Sequence, residues 1–160
     1  MCGAEWASAQ ETFYVPTIDH NRYYADHRNE YGYDEGTGRE LRAFVQSNVE
    51  SLRLAHQAGI PIAFGSYAVM TMLGQNTLEL EWFVKAGLSP AETIKTATLN
   101  AAELCGLENQ LGRILPTFQA DIIAVCGNPL SDIQAITNNI AVVIKAGKIA
   151  FYNPQKAACP

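Results

Sequence analysis

The chain has 160 residues, of which 48% are hydrophobic and 17% are charged, a composition typical of globular proteins and not of disordered or membrane-spanning ones. Its net charge of -5 comes without an acidic run or a basic patch, which argues against a general affinity for nucleic acid. No apolar run reaches the roughly 18 residues of a membrane span, and no signal peptide begins the chain, which predicts a cytoplasmic protein unless a signal precedes the given sequence.

Residues 13–18 are a candidate strand, although Pro16 would interrupt a central ladder. Residues 19–38 are polar, show no clear helical stripe and predict a long loop. The histidines and tyrosines of this loop are His20, Tyr23, Tyr24, His27, Tyr31 and Tyr33. At the end of a barrel strand, the aromatic side chains of such a loop would line a substrate pocket. The alternative interpretation is a solvated loop whose tyrosines cover the core.

A long amphipathic helix is predicted between residues 37 and 59. Thr37 and Glu40 have the spacing of a capping box at its start, and Gly59 is placed to end it. The apolar residues at helical spacing, which predict one buried face, are Leu41, Phe44, Val45, Val49, Leu52 and Ala55.

The apolar run at residues 60–64 predicts a short buried strand, because it is β-branched and aromatic and lies between Gly59 and Gly65. A predicted helix precedes it and another follows it. This order is that of a βα unit in a parallel sheet or barrel, where reactive side chains lie on the loop just after the strand. Tyr67 occupies that place.

Three further capping boxes predict a series of short helices between residues 76 and 106. They begin at Asn76, Ser89 and Asn100, and each has a glutamate three residues later. Pro90 follows Ser89 at the first helical position, where its missing N–H has no cost.

The composition changes in the last third of the chain, and its apolar runs predict three strands, at residues 122–126, 140–144 and 148–151. Ala146-Gly147 joins the last two and suits a tight hairpin turn. Residues from 152 onward are predicted to be a tail.

The four cysteines are Cys2, Cys105, Cys126 and Cys159, and they contain no C-x-x-C pair. This spacing argues against a zinc knuckle or a disulfide framework. We therefore predict reduced and partly buried thiols.

Several motifs in a fixed order carry a family resemblance. They are GIPIAFGSY at 59–67, GQNTLEL at 74–80, AGLSPAE at 86–92, TLNAAEL at 98–104, LGRI at 111–114, ADIIAV at 120–125 and GNPL at 127–130. Together they resemble the C-terminal part of the amidohydrolase superfamily, in the branch of imidazolonepropionase-like and Xaa-Pro dipeptidase-like enzymes. The resemblance extends over residues 13–151.

The resemblance implies an α/β fold that forms part of a (β/α)₈ TIM barrel. Residues 1–110 would supply the last strands and helices of the barrel, residues 111–152 the strand and hairpin part of a small composite β-sandwich, and residues 153–160 a tail. The whole chain is shorter than the ~250 residues of a complete barrel. The family's glycine before the Ala-Asp pair is replaced in the segment Thr117-Phe118-Gln119, which predicts an altered turn.

The resemblance also implies a metal-dependent hydrolase that acts on C–N bonds of small peptide or amide substrates, with zinc or another divalent metal. In the family an aspartate that binds the metal and accepts the water's proton follows this strand, and here the position is Tyr67. A phenol with a pKa near ~10 is a poor ligand or base at neutral pH. The family's His-X-His pair has no counterpart among His20, His27 and His56.

We therefore predict no metal ligand and no assured catalytic residue in this chain, which would be a truncated copy that is inactive alone. The candidate pocket-lining residues are His20, Tyr23, Tyr24, Ser66, Tyr67 and Asn76. An Asp19-His20 base and a His20-His27 pair on one helix face are minor alternatives. The alternative function is a noncatalytic binding or assembly module, a homo-oligomer, or a subunit completed by another chain, because unpaired barrel strands expose edges and apolar faces.

Overall fold

The structure is a computed structural model, and it describes residues 12–68 and 72–158. The chain divides into two compact units, Met1–Leu88 and Ser89–Pro160. Within the described residues, no helix has both the length and the apolar character needed to span a membrane.

In the first unit two extended segments, residues 12–17 and 60–66, meet in a parallel bridge between Tyr14 and Ile62. The Tyr14 N–H donates to the Pro61 carbonyl at 2.8 Å, and the Ala63 N–H donates to the Tyr14 carbonyl at 3.1 Å. The two predicted strands therefore run parallel to each other. A single bridge joins them, and they do not form a longer ladder of hydrogen bonds. Proline supplies no N–H, so Pro16 and Pro61 remove donors that a longer ladder would need.

The two segments lie very close together beyond the bridge. A Cβ atom placed on Gly65 would lie 2.6 Å from Val15 Cγ1. A side chain at this point would force Val15 to move, which accounts for the glycine that ends the predicted strand.

Residues 19–38, predicted to be a loop, instead contain helix α1, Asp19–Asp26. Arg22 forms ion pairs with Asp19 at 2.9 Å and with Asp26 at 3.2 Å, at the i,i+3 and i,i+4 spacings that support a helix. The helix buries Asp19, Tyr23 and Ala25. The prediction was wrong because these stabilising contacts are polar and leave no apolar stripe to detect.

Helix α2, Glu35–Gln57, starts earlier than predicted. Its N-cap is Asp34, whose carboxylate accepts from the Thr37 N–H at 2.7 Å, so the predicted Thr37 cap is wrong. Gly59 follows the helix with a φ of +71°, and its predicted role at the helix end is confirmed.

The predicted buried face of α2 is confirmed only as a narrow stripe. Val45, Leu52 and Ala55 are buried. Phe44 is 54% exposed because it lies one position off that stripe. The core of this unit consists of Ile18, Val45, Leu52, Ile62, Phe83, Ala86 and Leu88, with Tyr14, Val49, Phe64 and Trp82 packed at its margin.

A 3₁₀ turn, Asn76–Leu78, leads into helix α3, Glu79–Lys85, and no side chain caps either element. The predicted Asn76-Glu79 capping box is therefore wrong. The Glu79 carboxylate accepts hydrogen bonds from Ile18 and Asp19 instead.

The second unit begins with α4, Pro90–Thr96, and α5, Leu99–Leu104. The Ser89-Glu92 capping box of α4 is confirmed, with the Glu92 N–H donating to Ser89 Oγ at 3.2 Å. The predicted box at Asn100 is wrong because α5 begins before that residue, and its N-cap Thr98 makes no side-chain cap.

An antiparallel sheet of order β1-β2-β3 follows, built from Ile122–Val125, Ile140–Lys145 and Lys148–Tyr152. Helix α6, Gln134–Asn138, lies between the first two strands, and α7, Pro154–Ala157, follows the last. The three predicted strands are confirmed. The predicted tail contains α7, whose N-cap is Asn153.

The hairpin turn at Ala146-Gly147 is confirmed, since both residues have positive φ, 49° and 76°, as a two-residue hairpin of type I′ needs. Thr117 also has a positive φ, 75°, in the segment where the sequence departs from the family. A β-branched residue is strained there.

The prediction of reduced, partly buried thiols is wrong for Cys126, and for Cys105 it is right about the reduced state and wrong about burial. Cys126 is disulfide-bonded. Cys105 is a free thiol but is exposed. Cys2 and Cys159 lie outside the described residues.

Candidate functional site

His20 and Tyr67 follow the two bridged segments of the first unit. Because parallel segments bring their carboxyl ends to one edge, residues that follow them in the chain can meet there. The rings of His20 and Tyr67 are in edge contact, with centroids 4.6 Å apart and planes at 80°. This pair is the centre of the candidate site.

Five more aromatic rings extend from this pair, and we call the whole set the ring cluster: His20, Tyr23, Tyr24, His27, Tyr31, Tyr33 and Tyr67. Tyr24 contacts His20 at 4.8 Å and Tyr31 at 4.7 Å between centroids. Tyr23 stacks on His27 at 4.1 Å. The helical i,i+4 spacing in α1 accounts for the His20–Tyr24 and Tyr23–His27 contacts.

The ring cluster is partly open to solvent. Tyr23 is 8% exposed and anchors the cluster to the interior, whereas Tyr31 and Tyr33 are each 38% exposed and Tyr67 is 63% exposed. Tyr67 also has a φ of 47°, which is uncommon for a residue other than glycine and often marks a functional loop.

Ser66 and Asn76, two other predicted pocket residues, form a hydrogen-bonded pair. The Asn76 Nδ2 group donates to Ser66 Oγ at 2.9 Å. This bond ties the loop that carries Tyr67 to the 3₁₀ turn before α3. Of the six predicted residues, the structure therefore joins four in the ring cluster and two in this supporting pair.

His20 is half-buried, and burial lowers the pKa of its imidazole, an effect that the Tyr67 backbone opposes in part. The imidazole is therefore neutral at pH 7. Its Nδ1 atom is buried and has no hydrogen-bond partner among the described residues.

The Asp19 carboxylate does not orient His20, so the Asp19-His20 base is wrong. Asp19 Oδ1 accepts from Arg22 Nε at 3.0 Å and from Trp82 Nε1 at 2.9 Å, and Oδ2 accepts from Arg22 Nη2 at 2.9 Å. His27 Nδ1 bonds to the Tyr23 carbonyl at 2.9 Å, and its ring stacks on Tyr23.

Glu79 is the important residue that the sequence did not reveal. Its side chain is fully buried, and its two oxygens accept from the Ile18 and Asp19 N–H groups at 2.7 Å each. Burial raises the pKa of Glu79 to about 7, with a smaller contribution from the Asp19 charge, although the two N–H donors oppose the shift. A glutamate flanked by leucines gives no local signal of a partner this far away in the chain.

The resemblance implies a divalent metal, and the donors in this structure do not fit one. In residues 12–68 and 72–158, no three His, Cys, Asp or Glu side chains lie close enough together to hold a metal ion. The ring cluster offers the two imidazoles of His20 and His27 beside tyrosine side chains, whereas zinc takes three or four nitrogen, sulfur or carboxylate ligands.

The sequence profile of the amidohydrolase family matches residues 16–150. The chain is 36% identical over 114 residues to ochratoxinase of Aspergillus niger, a match that covers 69% of this chain and 23% of that protein. It is 33% identical over 70 residues to imidazolonepropionase of Kosmotoga olearia, which covers 42% of this chain and 17% of the relative.

Solved structures give the same result over nearly the whole chain. A Xaa-Pro dipeptidase with bound methionine superposes with a TM-score of 0.80 at 31% identity, covering 94% of this chain and 37% of the dipeptidase. A prolidase complexed with N-methylphosphonate-L-proline superposes with a TM-score of 0.84 at 27% identity, again over 94% of this chain and 37% of the relative. The chain thus spans less than two fifths of these relatives, and the predicted resemblance is confirmed: the chain belongs to the amidohydrolase family.

Proposed function

We propose that this chain supplies part of the active-site face of a metal-dependent hydrolase that cleaves C–N bonds in small amide or peptide substrates. The observation that supports this most strongly is the His20–Tyr67 contact after two parallel segments, in a chain of this family. The relatives with related sequences include an ochratoxinase, an imidazolonepropionase and a prolidase.

We propose the corresponding domain roles as well. Residues 1–110 would belong to the last part of a barrel, and residues 111–152 would belong to a composite β-sandwich. The Tyr14–Ile62 bridge and the three-stranded antiparallel sheet support these roles.

In this proposal the ring cluster forms one wall of the substrate pocket. Most of its rings belong to tyrosines, and the lowered pKa of His20 leaves that imidazole neutral at pH 7, so the wall suits an apolar or ring-bearing part of a substrate. The Tyr67 side chain carries a hydroxyl that can donate a hydrogen bond, whereas the carboxylate of the family's aspartate accepts one. Tyr67 would therefore bind a substrate carbonyl and would not act as the base.

A bound divalent metal would supply activated water and a polarised carbonyl. The described residues bring too few donors to hold such an ion. We therefore propose that the 160-residue chain is inactive alone, and that hydrolysis requires ligands from outside the described residues.

Two measurements on the purified chain test this proposal. Hydrolysis of Xaa-Pro dipeptides and N-acyl amino acids is assayed with added zinc and with a chelator, and we expect no turnover in either case. NMR titration with the same dipeptides should shift the ring signals of His20, Tyr24 and Tyr67. Chelator-sensitive turnover would contradict the claim of too few donors, and unshifted ring signals would contradict the pocket.

A second candidate function, an assembly subunit or noncatalytic binding module, is favoured by the edge strand β3. Every residue of β3 is exposed, and its large apolar side chains Ile149, Phe151 and Tyr152 are 68%, 49% and 56% exposed. Exposed edges of this kind recruit partner chains. Light scattering after size-exclusion chromatography should then show an oligomer that Ile149→Lys weakens and the surface control Leu54→Lys does not. A monomer at all concentrations would exclude self-assembly.

A further inference from the structure

The start of helix α1 is held by a side chain from another helix. The Ile18 N–H donates to Glu79 Oε1 and the Asp19 N–H donates to Glu79 Oε2, both at 2.7 Å. We call these two bonds the Glu79 bridge. They occupy N–H groups that a helix start leaves without internal partners, and no side chain of α1 itself caps it.

The Glu79 bridge lies next to the ring cluster in the chain. His20 is the residue immediately after Asp19, and Tyr23 and Tyr24 follow on the first turns of the same helix. Ile18 is fully buried in the core, so the bridge fixes α1 at the point where it leaves the core. Trp82, on the same helix as Glu79, donates to Asp19 at 2.9 Å and adds a second link between α1 and α3.

We propose that the Glu79 carboxylate is a positioning residue for the ring cluster: its two hydrogen bonds set the start of α1 and thereby hold the His20 ring against Tyr67. The importance of this contact for a substrate rests on the function proposed above. The bridge itself is a property of the fold and is measurable without a substrate.

If so, the protonation state of Glu79 controls the contact between the His20 and Tyr67 rings. A carboxylate has two charged acceptor oxygens, one for each N–H, whereas the protonated acid has a hydroxyl oxygen that accepts weakly. Burial raises the pKa of Glu79 to about 7, so proton uptake occurs near neutral pH. Acidification should therefore weaken one of the two bonds and loosen the His20–Tyr67 contact.

Few other ionisable groups act on Glu79. Besides burial, the Asp19 charge of α1 raises the pKa of Glu79. Burial, with a smaller contribution from the Glu79 charge, raises the pKa of the Tyr14 phenol in the first extended segment. Asp19 itself forms an ion pair with Arg22 at 2.9 Å. Within the described residues, no ionisable group of α2 or of residues 60–68 contributes to the shift at Glu79.

Hydrogen exchange and NMR test the proposal on the whole chain. Protection of the Ile18 and Asp19 amides, corrected for intrinsic exchange rates, should fall about tenfold when the pH drops through about 7, as a charge-assisted bond becomes a neutral one. The NOE between the His20 and Tyr67 rings should weaken with the same midpoint.

Variants separate this effect from titration of His20 itself. Glu79→Gln keeps one acceptor oxygen and should give an intermediate NOE that does not change with pH through this range. Glu40→Gln removes an exposed carboxylate from α2 and should keep the wild-type pH profile. Glu79→Ala should lose the His20–Tyr67 contact at every pH. If Glu79→Ala does not fold, Glu79→Gln alone tests whether Glu79 positions the His20 ring.

A His20–Tyr67 NOE of the same strength in wild type and Glu79→Gln, at every pH, would overturn the proposal. Such a result would leave the proposed hydrolase role untouched. A failed dipeptide titration with a normal pH profile would contradict the hydrolase role and leave the positioning role of Glu79 in place.

Discussion

The Trp82 indole Nε1 donates a hydrogen bond to Asp19 Oδ1 at 2.9 Å, across 63 residues of sequence. Asp19 also binds the Arg22 guanidinium through both oxygens. The buried Asp19 carboxylate therefore binds one side chain within α1 and one side chain of α3. Together with the Glu79 bridge, it determines where the helix that carries most of the ring cluster begins.

Trp82→Phe should destabilise the first unit by about 1–2 kcal/mol, because Asp19 is buried and loses a charge-assisted hydrogen bond. The measurement is denaturant unfolding of Trp82→Phe, Asp19→Asn and the double variant. The coupling energy in this cycle should be about 1 kcal/mol. Additive effects of the two changes would show that the indole bond makes no contribution to stability.

Thr117→Gly should stabilise the second unit by about 1 kcal/mol, because Thr117 has a φ of 75°, which glycine adopts without strain. The converse change Gly147→Thr is a matched control. Gly147 has a φ of 76° and open space around it, so a side chain there is strained only through the backbone. Thermal unfolding should show opposite shifts for the two variants, and a lower melting temperature for Thr117→Gly would contradict the assignment of strain.

Glu79 should make the stability of the fold depend on pH. Its folded-state pKa of about 7 lies above the ordinary 4.5, so the folded state binds the proton more tightly. The contribution of Glu79 is therefore fully present below about pH 4.5 and is lost as pH rises to about 7, by roughly 3 kcal/mol. Protonation favours the fold as a whole because it removes a buried charge, even though it weakens the Glu79 bridge.

The check is the free energy of unfolding between these pH values in wild type and in Glu79→Gln. The lowered pKa of His20 has the opposite effect, with a contribution that is lost as pH falls, and it is common to both proteins. The difference between the two curves should slope downward with rising pH. A flat difference would mean that Glu79 stays charged throughout.

Tyr24→Leu should weaken the binding of a Xaa-Pro dipeptide by about twofold to tenfold, since Tyr24 contacts His20 and Tyr31 in the centre of the ring cluster. Tyr152→Leu, at an exposed position of β3, is the control and should leave the affinity unchanged. Equal losses in the two variants, measured by NMR titration, would place the binding elsewhere.

Sequence patterns predicted the structure well where the geometry is set by adjacent residues. The Ser89 cap, the Ala146-Gly147 turn and the glycine after α2 are of this kind. The prediction failed at Glu79, where the local capping box competes with two N–H groups that are 60 and 61 residues away. A distant partner of this sort leaves no trace in local spacing.

In the candidate site, too, features set by local sequence were predicted and features set by distant partners were missed. The Tyr67 position after the second extended segment was evident from the strand pattern, and its contact with His20 follows from the parallel pairing. The helix that brings Tyr23 and Tyr24 to His20 was missed because its support comes from Arg22, Asp19 and Glu79, and not from apolar periodicity.

Zinc binding by wild type and Tyr67→Asp, measured by calorimetry, tests most directly whether this polypeptide brings too few donors for a metal centre. We expect no stoichiometric binding to either protein, because one strand-end carboxylate and His20 make at most two ligands. Stoichiometric zinc binding to the wild type that is lost in His20→Ala would contradict this.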